Sequence, residues 1–241
     1  MTESQSTQSI HTLITSNLYD PSIVTQLEQY VTETARHTSP YDQYINTHLL
    51  SIYCISPDTI NSQSLIKLLL LQLTHLPSTD YINAYTALPH TAHTNIRELS
   101  SIHKLYNLLT SCQFKKFWNE SSTISNITQS ITQFDNNVRQ FIALCIQQTY
   151  TTITMQQLKE YTNLSLSKDI DQLITNNNWS KSADSTAIHI NTTNDNRSAT
   201  HTARQQHDQF SVECMYYIVL MYCIMNIFYV VLPQLIFSLI L

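Results

Sequence analysis

The chain has 241 residues, 42% of them hydrophobic, a net charge of −5, and charged residues at only 12%, about half the usual share. That length holds one large domain or two small ones, and the acidic balance argues against a general polyanion binder, which needs a basic face to displace counterions from phosphate. Glycine is absent, which removes every G-x-G-x-x-G, Walker A and G-x-S-x-G loop, and with them the usual marks of dinucleotide enzymes, NTPases, kinases and serine hydrolases.

Helices joined by Asn-, Ser- and Pro-containing loops suffer least from a lack of glycine, because Asn tolerates the left-handed region and Pro starts helices, so the predicted fold is mainly α. Residues 1–8 are polar, show no basic-then-apolar leader pattern, and are set aside as disordered. Ile10, Leu13 and Ile14 share a helical face that Leu18 closes. Asp20-Pro21 reads as an N-cap followed by proline at the first helical position, ahead of the stripe Ile23, Leu27, Tyr30 and Val31. Ser39-Pro40 repeats the device before Tyr41, Ile45, His48, Leu49 and Ile52, and Pro57 ends that helix. From Leu65 to Leu76 the apolar residues cover every side of the cylinder, which predicts a central core helix too short to span a membrane. Pro77 stops it, and Ser78 or Thr79 caps the next, which carries Tyr81, Ile82, Tyr85 and Leu88. Another helix follows with Ile96, Leu99, Ile102, Leu105, Tyr106 and Leu109, and Phe114, Phe117 and Trp118 then form an aromatic knot. Short antiparallel hairpins of this kind predict a helical-repeat stack over residues 9–132.

Ile124, Ile127 and Ile131 lead to Asp135, read as the cap of a longer helix with Val138, Phe141, Ile142, Cys145 and Ile146. Thr151 to Ile153 is β-prone, Thr154 caps a helix with Leu158 and Tyr161, and Ser165 or Ser167 caps one with Ile170, Leu173 and Ile174. Asn176 to Asn178 forms a turn, and short strands are expected around Trp179 and over Thr186 to Ile190. Helix, strand, helix, helix, strand, strand is the order of a winged helix, placed at 133–190. The Asn-, Thr-, Ser- and His-rich stretch 191–209 reads as a flexible linker. From Cys214 to Leu241 no residue is charged, so the hydrophobic helix expected over 210–241 is open to three readings: a membrane anchor, a helix packed among partner helices, or a gene-model artefact. Cys54, Cys112, Cys145, Cys214 and Cys223 are widely spaced, contain no C-x-x-C, and read as reduced core residues.

Several blocks resemble the subunit K family of eukaryotic translation initiation factor 3. They are Asp20-Pro21 with Leu27-Glu28-Gln29-Tyr30-Val31, the run Leu70 to Tyr81, Leu105 to Trp118, Phe134 to Ile142, and Trp179-Ser180. The resemblance covers Leu18 to about Ile190. It implies a HEAT-like helical repeat followed by a small winged helix, a PCI-like architecture also found in proteasome-lid and COP9-signalosome subunits. It further implies a cytoplasmic, non-enzymatic subunit without cofactor, whose partners are the other initiation factor 3 subunits, especially subunit L, and through them the small ribosomal subunit. Gln133 and Asn178 stand where the family tends to carry glycine, and the end after Ile190 has no counterpart in it. A lid or signalosome subunit, or a tail-anchored membrane adaptor, is the alternative.

Candidate chemistry is sparse. The second helix of the winged helix offers Lys168 but also Asp169 and Asp171, and the wing sets Lys181 against Asp184, so direct DNA reading is not expected and protein contact suits the surface better. Lys168, Asp171, Trp179 and Lys181 are the predicted interface residues. Lys115 and Lys116 flank aromatics in a pattern an RNA-stacking platform would use, but aromatics three and four apart on a short helix are expected to pack inward with the lysines solvated. His90 and His93 lack an accompanying carboxylate or cysteine and are expected in an exposed loop, so no metal site is predicted. The closest carboxylate pairs, Glu28 with Glu33 and Asp169 with Asp171, fall on different helix faces, and no catalytic residue is predicted.

Overall fold

A computed structural model describes residues 3–17, 20–182 and 186–190. Leu18, Asp184, Cys214, Cys223, the 191–209 linker and the 210–241 tail lie outside the described residues.

The first part of the chain is a succession of helices: α1 Glu3–Ser16, a 3-10 turn Pro21–Ile23 running into α2 Val24–Ala35, α3 Gln43–Ile55, a second 3-10 turn Pro57–Thr59, α4 Ser62–Thr74, α5 Asp80–Ala87, α6 His90–Asn95, α7 Glu98–Thr110, α8 Phe114–Thr123 and the single turn α9 Ser125–Thr128. The second part runs α10 Phe134–Thr149, β1 Thr152–Thr154, α11 Met155–Thr162, α12 Ser167–Asn176, β2 Ser180–Lys181 and β3 Ala187–His189. The fold is mainly α, and the order from α10 to β3 is the one expected from the sequence.

Helix starts follow side-chain capping, and capping explains most differences from the predicted boundaries. Asp20 accepts from the Ser22 N–H at the first 3-10 turn, as expected. The next helix does not start at Ser39-Pro40. Asp42 caps it, accepting from the N–H groups of Tyr44 and Ile45, while the Pro40 carbonyl stays outside and accepts the Tyr30 hydroxyl at 2.8 Å. Asn61 starts α4 ahead of its first leucine by accepting from Gln63 and Ser64. Thr154 and Gln157 satisfy each other in a capping box at α11. At α10 the cap position is Gln133, so Asp135 sits inside the first turn rather than capping it, where its charge still favours the helix N-terminus. His90 and His93 lie on α6 rather than in a loop, Pro89 supplying the extended entry. Helix α1 already begins at Glu3, inside the stretch read as disordered.

Helix α4 is the centre of the packing. Leu65, Leu68, Leu69, Leu70, Leu71 and Leu73 are all buried, and the helix packs against α2, α5, α7 and α10. A helix apolar on all sides needs neighbours on all sides, and this one has them. Phe114 and Phe117 on α8 are buried in the same core.

Three antiparallel strands lie in the order β1-β3-β2. Ile153 pairs with Ile188 and Thr152 with His189, while Ser180 and Lys181 of β2 pair with His189 and Ile188. The register turns Ile153 and Ile188 into the core and leaves their neighbours in the strands outside it.

With no glycine, left-handed corners fall to other residues: His37, Cys112, Gln133, Asn163 and Asn178 all have positive φ. Gln133 (φ 62°) and Asn178 (φ 55°) occupy two of these corners, where glycine would carry no Cβ penalty. Cys112, at φ 56°, is exposed, which corrects its reading as a core residue, while Cys54 and Cys145 are half-buried.

Candidate protein-docking surface

Helix α12 is amphipathic, so its two faces have separate roles. Ile170 and Ile174 point into the core, and Lys168 and Asp171 are exposed on the other side. The chain leaves the helix through Asn177 and Asn178, and the Trp179 N–H returns to the Ile174 carbonyl at 3.0 Å. This turn brings β2 beside the helix, and Lys181 Nζ reaches Asp171 Oδ1 at 2.6 Å. Of the predicted interface residues, the structure therefore joins Asp171 and Lys181 in one exposed ion pair and leaves Lys168 outward on the first turn of α12.

Trp179 is corrected. The residue is only 6% exposed and belongs to the core, at the point where the chain returns tightly to Ile174. The surface instead presents Leu166, 67% exposed, immediately before α12. Sequence reasoning missed it because its spacing, four residues before Ile170, matches the inward stripe, whereas Leu166 sits at the extended position before the helix and does not follow that face. A large apolar side chain beside Lys168 and the Asp171–Lys181 pair is the mixed composition of a protein contact. It does not suit nucleic acid, since Lys181 is already neutralised by Asp171.

This surface is tied to the preceding helices by a joint that carries no sequence motif. Arg139 on α10 donates from Nε to the Thr162 carbonyl at 3.0 Å and from a terminal nitrogen to Asn136 Oδ1 at 3.0 Å. Its Cζ lies 5.2 Å from the centroid of the Trp118 ring on α8. The Trp118 indole N–H donates to the Tyr161 carbonyl at 2.7 Å, so both residues grip the end of α11. Lys115 adds an ion pair to Glu160 at 2.5 Å, which with the Gln156 amide holds the Glu160 carboxyl below its usual range. Lys116 donates to Gln113 at 2.8 Å, and Phe114, Phe117 and Trp118 are buried, so this segment offers no face on which a base could stack. A cavity of about 640 Å³ beside the joint is lined mostly by hydroxyl and amide side chains, and its Arg139 is already engaged. Among the described residues no three His, Cys, Asp or Glu side chains come together as metal ligands, and no helix is long and apolar enough to cross a membrane.

A chain of *Danio rerio* named eukaryotic translation initiation factor 3 subunit K is 29% identical over 166 residues, covering 69% of this chain and 75% of the relative. The subunit K of *Bos taurus* is 32% identical over 142 residues, covering 59% of this chain and 64% of the relative, so less than two thirds of that protein's length is matched. That of *Drosophila ananassae* is 28% identical over 161 residues, covering 67% and 72%. The family model described as "CSN8/PSMD8/EIF3K family" matches residues 59–199, a stretch that runs from the central leucine helix through the joint and the whole docking surface. With more than half of the chain matched by that model, and similarity to subunit K relatives in fish, cattle and fly, the chain belongs to the CSN8/PSMD8/EIF3K family.

Proposed function

We propose that this protein is a non-catalytic scaffold subunit of eukaryotic translation initiation factor 3, working in the cytoplasm to support assembly of the factor on the small ribosomal subunit. The observation that carries the reading is the similarity to relatives named as subunit K of that factor. The 9–132 segment is read as a HEAT-like stack and 133–190 as a winged helix that meets another subunit, subunit L by the resemblance above. What supports this use is chemical: Leu166 and Lys168 are exposed together with the Asp171–Lys181 pair on a surface that suits protein better than phosphate. Any contact with a membrane is assigned to the 210–241 tail alone.

Co-expression with subunit L tests the reading. A stoichiometric complex on size exclusion is expected, weakened about tenfold or more by Leu166→Glu combined with Lys168→Glu, which place charge at an apolar contact and reverse the neighbouring one. Separate migration of the two wild-type subunits, or an unchanged complex with the double variant, would count against it. Recovery with proteasome-lid or signalosome subunits instead would favour the alternative assignment within the family.

A further inference from the structure

Helices α3 and α5 enclose a second groove, made of other elements than the docking surface above. Its volume is about 570 Å³, its walls include Leu50 and Ile55 of α3 and Ala84 and Ala87 of α5, and Gln72 of α4 lies at its floor. Ile55 is 60% exposed at its edge, and Tyr44, three turns earlier on the same face of α3, is also exposed.

Two polar groups in this apolar setting lack what they need. Asp80 is the only charged residue lining the groove and is 7% exposed. Its carboxylate accepts from the Tyr41 hydroxyl at 2.7 Å and the Gln43 amide at 2.6 Å, both neutral donors. Among the described residues no Lys, Arg or His is paired with it. Its place in the first turn of α5 offsets part of the charge, but a carboxylate has room for further donors. Gln72 is 2% exposed and its Oε1 has no donor. A buried acceptor left empty and a buried charge without a counter-ion are both costly, and here they line one groove.

We propose that the α3–α5 groove receives a basic amphipathic helix of a partner protein, one arginine or lysine reaching Asp80 and Gln72 and an adjacent aliphatic residue covering Ile55. A guanidinium is the best fit, because it carries several N–H donors in a fixed fork and its stem can lie along Leu50, Ala84 and Ala87. Nucleic acid does not fit, since the only charge in the groove is negative. The inference goes beyond subunit K membership and survives if that membership fails.

The test selects displayed helical peptides of about four turns on the full chain, with counter-selection on Ala87→Phe, which fills the groove from an exposed position. Enriched peptides are expected to share a basic residue one turn from an aliphatic one, and to bind Asp80→Asn and Ala87→Phe at least about tenfold more weakly than wild type. Thermal unfolding of both variants checks their folding, and Ala87→Phe alone suffices if Asp80→Asn is not folded. Enrichment of peptides without a basic residue, equal binding to wild type and Ala87→Phe, or no enrichment over the blocked variant would each overturn the proposal.

Discussion

Arg139 and Trp118 are joined face to ring, the guanidinium carbon 5.2 Å from the indole centroid, and each also hydrogen-bonds a carbonyl at the end of α11. Removing the guanidinium deletes a cation–π contact and leaves the Thr162 carbonyl without this donor. Arg139→Ala should therefore destabilise the chain by about 2 kcal/mol. Arg139→Lys should recover only part, because an ammonium keeps the charge and loses the planar stack. Urea unfolding followed by tryptophan fluorescence reads both.

The left-handed corners give a graded prediction. A residue with a Cβ in that conformation costs about 1–2 kcal/mol, and glycine relieves this at a smaller entropic cost in the unfolded chain. Gln133→Gly should stabilise by about 0.5–1 kcal/mol, and Asn178→Gly by less, because asparagine already tolerates positive φ. Thermal melts of both variants would show the order, and equal or negative shifts would refute it.

Trp179 and the Asp171–Lys181 pair should separate cleanly in a stability measurement. Trp179→Ala opens a cavity in the core and should cost about 3–5 kcal/mol. Asp171→Ala or Lys181→Ala removes an exposed ion pair and should cost less than about 1 kcal/mol. Any loss of partner binding in the alanine variants of the pair is then a surface effect.

His103 stacks on Tyr85 with ring centroids 4.1 Å apart, and His93, Tyr81 and Tyr106 complete its surroundings. Burial, helped by His93, pushes its pKa below the ordinary 6.5. The unfolded chain thus binds a proton before the folded one does. The contribution of His103 is fully present above about pH 6.5 and is lost as the pH falls through the folded-state value. Stability of the wild type should decline between pH 7 and pH 5 more steeply than that of His103→Phe, which keeps a ring in the stack and cannot titrate. Denaturant midpoints across that range test the difference.

The helical architecture was legible because its signals are local. The all-round leucines of α4, the Asp20-Pro21 start and the Thr154 cap each write their consequence into a few consecutive residues. The absence of glycine pointed correctly to helices, yet it did not reveal which residues would take the left-handed corners. The candidate surface was legible only in part. Lys168, Asp171 and Lys181 are exposed as expected, but Trp179 is buried at a backbone return to Ile174 that no periodicity encodes. The joint at Arg139 and the acceptors at Asp80 and Gln72 were invisible for the same reason. Each depends on side chains from helices far apart in the sequence meeting at one point.

Affinity purification of the tagged full chain from its native cells, followed by density-gradient sedimentation and mass spectrometry, tests the central claim most directly. The account predicts co-sedimentation with small ribosomal subunits together with the other initiation factor 3 subunits. A chain that sediments away from the ribosomal fraction and brings down none of those subunits would contradict it.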